Sequence, residues 1–197
     1  MPEGSEVCLI ALYLTSKLKG KRITEIKALK GRYTRATPSG WKELESYLPC
    51  TILEVNSKGK FLWFSLSTPK GEGYIFNTLA LEGRWIFEES KNNNVKFELL
   101  SRTGKKVSYL WFEDKLDMGT LSFTLDKKKL EAKLKSLGLD FLKDDWKPTD
   151  LKKQIQAYLG RGRTAKQKQG RKEAPLVKVL MEQKEASGLG CGIGNYL

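Results

Sequence analysis

The apolar residues Val7, Ile10, Ala11, Leu14 and Leu18 fall at i, i+3, i+4, i+7 and i+11. That spacing predicts one buried stripe of an α-helix, and Gly20 stands where such a helix would stop. From about Arg22 to Leu125 the period changes to short runs rich in Ile, Val, Phe, Trp and Thr, which predict β-strands. "TILEVNSKGKFLWFSLS" predicts a hairpin turning near Lys58-Gly59. "YIFNTLALEGRWIFE" and "VKFELLSRTGKKVSYLWFE" predict two more, the latter turning at Thr103-Gly104. "GTLSFTL" adds a strand, and several antiparallel strands at this spacing suggest a sandwich or barrel. After Asp126 helical spacing returns in "KKKLEAKLKSLG", "LKKQIQAYLG" and "PLVKVLMEQ", with Pro175 suited to a helix start. Between the last two, "GRGRTAKQKQGRKE" carries six basic residues before its first acid and reads as a flexible basic loop. The expected class is α+β, with a helix and antiparallel β-sandwich over 1–126 and a helical domain over 127–197. No internal repeat is evident.

Charge narrows the function. Thirty-six Lys+Arg against 23 Asp+Glu give +13, and histidine is absent. Such an excess points to a polyanionic partner, nucleic acid ahead of anionic membrane, with a merely solubilising basic surface as the alternative. Without histidine, acid–base work falls to carboxylates, lysines or the terminal amine. Cys8, Cys50 and Cys191 are odd in number, far apart and lack CxxC spacing. They predict neither a disulfide framework nor a zinc site and fit a reducing, intracellular compartment. No metal or other cofactor is expected. "VCLIALYL" at 7–14 is too short for a membrane span and follows no basic region, so no membrane partner is expected.

Three stretches carry candidate chemistry. The first is "MPEGSEV", with Pro2 followed by Glu3 and Glu6. A proline and two acids suit a helix entrance, where no N–H need be satisfied and negative charge meets the positive helix end. The same residues suit catalysis. Removal of Met1, usual before a small residue, leaves the secondary amine of Pro2, and an α-amine has a pKa of about 7.7–8.0. Such an amine attacks the C1′ aldehyde of a sugar, and the resulting iminium is a permanent electron sink for elimination next door. Glu3 is the adjacent proton donor and acceptor. The second stretch is "GKFLWF", where Lys60 leaves a turn at Gly59 and enters an aromatic strand, as a site residue or as an ordinary surface lysine. The third is "SGLGCGIGNYL", whose Gly188, Gly190, Gly192 and Gly194 would let backbone N–H groups approach a phosphate. It lacks GKS or GKT, so it is not a P-loop, and an ordinary flexible end is the alternative.

Together these residues resemble the formamidopyrimidine-DNA glycosylase/endonuclease VIII family of bifunctional base-excision-repair enzymes. "MPEGSEV" is similar to the family's MPE-x-PEV start, with Ser5 in place of the second proline. "KGKF" resembles its lysine hairpin, "LGLDFL" at 137–142 its LGPDxL, and "GIGNYL" at 192–197 the GxGN(I/Y) of its helix-two-turn-helix motif. "NTLALEGRW" resembles the strand and loop that carry one intercalating residue. The likeness covers almost the whole chain in order. It implies that Pro2 is the Schiff-base nucleophile, Glu3 the general acid/base, Glu6 a supporting residue, and Lys60 a phosphate contact that assists elimination. It also implies that Asn195 binds a backbone phosphate and that Leu81 and Arg84 meet DNA. The implied activity is removal of damaged, oxidised bases followed by β/δ-elimination on abasic or oxidised-base DNA. A monomer is expected, and with Leu81 as the one wedge in place, lesions in single strands or bubbles are expected to be processed better than in duplex DNA.

The chain also departs from the pattern. "LALEGR" puts Leu81 at the first void-filling position, and "EDKLDMG" replaces the family's arginine and phenylalanine with Leu116 and Met118. The sequence stops at Leu197, inside the helix-two-turn-helix motif, so an incomplete second domain is expected. Two rivals to the enzyme reading are a non-catalytic or strongly impaired damaged-DNA-binding fragment and a basic RNA-binding protein.

Overall fold

The computed structural model describes residues 2–185 and 187–194. Helix α1 spans Gly4–Leu18, and its buried positions are Gly4, Val7, Ala11, Leu14 and Leu18, the stripe the sequence predicts apart from a half-buried Ile10. It lies on β2 (Cys50–Lys58), after β1 (Arg22–Ala28) and two short helices, α2 (Arg32–Arg35) and α3 (Trp41–Glu45). One side chain fixes the docking. The Thr15 hydroxyl donates to the Val55 carbonyl at 2.9 Å and accepts the Val55 N–H at 2.8 Å.

The remaining strands are β3 (Phe61–Thr68), β4 (Gly71–Thr78), β5 (Arg84–Ile86), β6 (Asn93–Leu100), β7 (Val107–Glu113) and β8 (Thr120–Thr124). They form one antiparallel sheet in the order β5-β7-β6-β1-β2-β3-β4-β8. At its middle, β1 and β2 share only the pairs Arg22↔Thr51 and Ile23↔Cys50, and a bulge follows on each strand. Bulges bend and twist a strand, so the sheet folds over here into two four-stranded layers. Phe64 of β3 meets Trp85 of β5 at 4.9 Å across the interior, and Trp85 also packs on Phe97 and Phe112. The Trp85 indole N–H donates to the buried Asn77 side chain at 3.0 Å, which satisfies a polar atom that would otherwise be costly inside.

The α+β class and the sandwich are as expected, but two local readings are corrected. "YIFNTLALEGRWIFE" is not a hairpin: β4 pairs with β3 and β8, whereas β5 pairs with β7 in the other layer. Residues 79–83 therefore cross from layer to layer, driven by Trp85, which completes the core only from the far side. The supposed flexible basic loop is also wrong in part. After α4 (Lys127–Ser136), β9 (Leu139–Asp140) and α5 (Pro148–Gly160), it holds α6 (Ala165–Lys172). Thr164 accepts the Gln167 N–H at 3.2 Å while the Gln167 side chain accepts from Thr164, a capping box that the basic composition concealed.

Helix α7 (Leu176–Met181) and β10 (Gly190–Cys191) complete the described elements. β10 pairs in parallel with β9, through Gly190↔Leu139 and Cys191↔Asp140. Phe61, Tyr74, Leu130, Leu137 and Cys191 form a second apolar cluster, which joins the sheet to α4 and to the glycine-rich segment.

Candidate active site

The site begins at the first turn of α1. Glu6 Oε2 accepts the backbone N–H of Glu3 at 2.7 Å. That N–H belongs to the Pro2–Glu3 peptide, so the group that starts the helix also orients Pro2. Glu3 itself is buried, at 7% exposure. The bond that starts the helix also fixes where Pro2 stands.

Glycines close the site, because three segments meet backbone to backbone. Gly4 donates its N–H to the Gly192 carbonyl at 2.7 Å, and a Cβ on Gly4 would lie 2.7 Å from Gly192 Cα. A Cβ on Gly59 would lie 2.8 Å from Cys191 Sγ. Gly59 and Gly192 have φ of +53° and +103°, conformations that side-chain-bearing residues rarely adopt. Beneath them, the buried Asp140 carboxylate accepts the Gly59 N–H at 2.8 Å and the Leu142 N–H at 3.0 Å. The four stretches "MPEG", "KGK", "LGLD" and "GCGIG" thus form one contiguous structure. Within "LGLDFL" nothing in the sequence marks Asp140; its contacts with Gly59 and Leu142 do.

A cavity of about 340 Å³ opens beside this junction, lined in part by Pro2, Lys60, Phe61, Leu79, Lys133 and Lys184. Lys60 Nζ is shielded from solvent and has no hydrogen-bond partner among the described residues. Burial pulls the Lys60 pKa down, opposed by the charge of Glu3. Burial, with the neighbouring Lys184 charge, likewise pulls Lys133 down. Lys133 sits 5.3 Å from the Phe61 ring centre. Glu3 lines a smaller hollow of about 190 Å³ on the other side, with Asp140 and Gly192. A larger cavity of about 650 Å³, among α5, α6 and α7, includes none of the residues expected from the sequence. Lys133 and Lys184 escaped the sequence reading because nothing distinguishes them among 36 basic residues.

The residues expected to meet DNA are more scattered. Leu81 is half-exposed on the 79–83 crossing, where Ala80 has φ +53°. Leu116 and Met118 are half-exposed on the 114–119 loop. Buried Asp114 holds that loop, accepting from the Tyr33 hydroxyl (3.0 Å), Met118 N–H (3.2 Å) and Gly119 N–H (2.8 Å). Arg84 is occupied: its Nη2 and Nε lie 2.6 and 2.8 Å from Glu113 Oε1, and Glu113 is fully buried. Burial pushes the Glu113 carboxyl up, but the Ser90 hydroxyl and Arg84 outweigh it and hold the pKa below the usual carboxylate range. Asn195 lies outside the described residues.

Residues 1–121 match the model of the formamidopyrimidine-DNA glycosylase N-terminal domain. A formamidopyrimidine-DNA glycosylase of Exiguobacterium is 29% identical over 122 residues, covering 61% of this chain and 42% of the relative. One from Zymomonas mobilis is 24% identical over 192 residues, covering 96% of this chain and 63% of the relative. The structure of the Lactococcus lactis protein with abasic-site DNA aligns at TM-score 0.67 and 19% identity, over 98% of this chain and 64% of that one. MutM with DNA containing carbocyclic 8-oxo-G aligns at 0.62 and 21%, over 79% and 57%. These structural likenesses show a shared fold, and the chain spans less than two thirds of the length of each of these relatives. The family match takes in more than half of the chain and includes Pro2, Glu3, Lys60 and Leu81: the protein belongs to the formamidopyrimidine-DNA glycosylase family.

Proposed function

We propose that the chain is a base-excision-repair DNA glycosylase with AP lyase activity, acting on oxidised bases and abasic sites through the Pro2 amine. The observation that carries this reading is that Pro2 and Lys60, whose ammonium has no hydrogen-bond partner among the described residues, open on one cavity beside the buried Glu3. With Met1 removed, the Pro2 nitrogen attacks C1′ of the damaged nucleotide. The glycosidic bond breaks, the base leaves with a proton, and O4′ takes a proton from Glu3 as the sugar ring opens. Loss of the Pro2 N–H proton gives the iminium. Removal of a C2′ proton then sends electrons toward the iminium, the C3′–O bond breaks, and the phosphate departs. Lys60 balances charge on a flanking phosphate, and Glu6 orients Pro2 through the Glu3 N–H. Asn195 takes a further phosphate, and Leu81 enters the stack left by the flipped base. Arg84 supports the DNA face by fixing the start of β5.

Supporting this reading are the family membership and the abasic-site DNA bound by the Lactococcus lactis relative. Borohydride reduction in the presence of abasic-site DNA tests it. Processed protein is expected to become covalently linked to the DNA, and protein that retains Met1 is expected not to. An undiminished adduct with Met1 in place would exclude the terminal amine.

A further inference from the structure

Three lysines from three segments line the cavity that Pro2 opens on: Lys60 in the β2–β3 turn, Lys133 on α4, and Lys184 beyond α7. Their placement is fixed by backbone. Leu137 and Lys184 form an antiparallel bridge, Gly138 N–H donates to the Gln183 carbonyl at 3.1 Å, and Glu185 N–H donates to the Ser136 carbonyl at 3.0 Å. These links hold the Lys184 strand against the end of α4, one turn beyond Lys133. None of the three lysines forms a salt bridge among the described residues. The nearby acids are engaged: Glu182 Oε1 lies 3.4 Å from the Lys184 backbone N–H, and Glu3 starts α1. Like charges in a partly dry site repel, and burial and the Lys184 charge already weaken the Lys133 hold on its proton. Glu3 acts on Lys60 through its charge and Glu182 also lines the cavity, yet none of the three ammonium groups is ion-paired among the described residues, and such an excess of cations suits an anion from outside.

We infer that Lys133 and Lys184 form a second phosphate clamp, opposite Lys60, that holds the 3′-side phosphate of the attacked nucleotide and receives its charge as the strand is cut. The inference rests on the lyase reading above. When the C2′ proton is removed and the C3′–O bond breaks, the electron pair of that bond leaves on the phosphate oxygen, and the departing strand keeps a 5′-phosphate. Lys133 and Lys184 act on that leaving group, whereas Pro2 acts on C1′. Both lysines lie beyond residues 1–121, so the clamp belongs to the linker and glycine-rich segments rather than to the matched domain.

The experiment compares the processed chain with Lys133→Met, Lys184→Met and the charge-retaining Lys133→Arg. Single-turnover scission and borohydride trapping are followed on one abasic-site duplex, and salt-dependent binding on a duplex with a stable abasic analogue. With protein in saturating excess over the DNA, scission by each Met variant is expected to fall roughly tenfold, as for one lost charge-assisted hydrogen bond, while trapping falls much less. Its salt slope should become shallower by about 0.9. Lys133→Arg should keep most of both. Unchanged scission and slope in both Met variants would overturn the clamp, and so would a matched fall in trapping and scission with an unchanged slope. Failure of the lyase reading looks different: the parent itself gives no adduct, and the salt slopes alone then decide whether the lysines bind phosphate.

Discussion

The Asp140 carboxylate accepts the backbone N–H of Gly59 at 2.8 Å, so a residue 81 positions away holds the turn that carries Lys60. Asp140→Ala would leave the Gly59 and Leu142 N–H groups unpaired in a buried place. A loss of about 2 kcal/mol or more is expected in denaturant unfolding. Asp140→Asn keeps one acceptor oxygen and should recover part of it. Equal stability of both variants and the parent would mean that Asp140 does not hold the turn.

Glu6 separates positioning from charge. A glutamine can accept the Glu3 N–H as the carboxylate does, and an alanine cannot. Glu6→Gln should therefore keep borohydride trapping near the parental rate. Glu6→Ala should lower it several-fold and cost about 1 kcal/mol of stability. A Gln variant as impaired as the Ala variant would instead assign Glu6 a role as a charge or a base.

Much of this site was legible because its parts are unusual in sequence: a proline behind Met1, a lysine after a glycine turn, and alternating glycines near the end. The α1 stripe and most strands followed from periodicity. What periodicity cannot see is which strands become neighbours. Residues 74–88 look like a hairpin locally, yet Trp85 is needed between the layers, and that preference acts only in the assembled core. The α6 helix was hidden for the opposite reason. Its basic composition suggested a loop, while the Thr164–Gln167 cap decides the local structure. For the expected site residues the structure adds the contacts: Glu6 on the Pro2–Glu3 peptide, Arg84 on Glu113, and Pro2 with Lys60 on one cavity.

The Arg84–Glu113 pair predicts a pH signature. The Glu113 pKa is held below its ordinary 4.5, so its contribution is present above that value and is lost as pH falls through the depressed one. Arg84→Ala leaves a buried carboxylate with Ser90 and a longer contact to Lys115 at 3.8 Å. Because Arg84 is itself half-exposed, a loss of about 2 kcal/mol at pH 7 is expected, shrinking as pH falls through the depressed Glu113 pKa and the carboxyl becomes protonated in the folded as well as the unfolded state. A loss of equal size at pH 7 and pH 3 in chemical unfolding would contradict the pairing as its cause.

Leu81 tests the wedge. Extruding a base costs a few kcal/mol in a duplex and much less where the base is already unpaired. Leu81→Ala should accordingly slow processing of an abasic site in duplex DNA about tenfold, and leave the same site in a single strand or bubble within about twofold. Single-turnover rates in the two contexts decide. Equal slowing in both would remove Leu81 from base extrusion.

The central claim is that the Pro2 amine is the nucleophile, and peptide mapping of the reduced covalent adduct tests it most directly. Trypsin releases the start of the processed chain as residues 2–17, since the first basic residue is Lys17. After reaction with abasic-site DNA, borohydride reduction and nuclease trimming, the sugar remnant should lie on that peptide, with fragmentation placing it on Pro2. A remnant on a peptide containing Lys60, Lys133 or Lys184, with residues 2–17 unmodified, would contradict the claim.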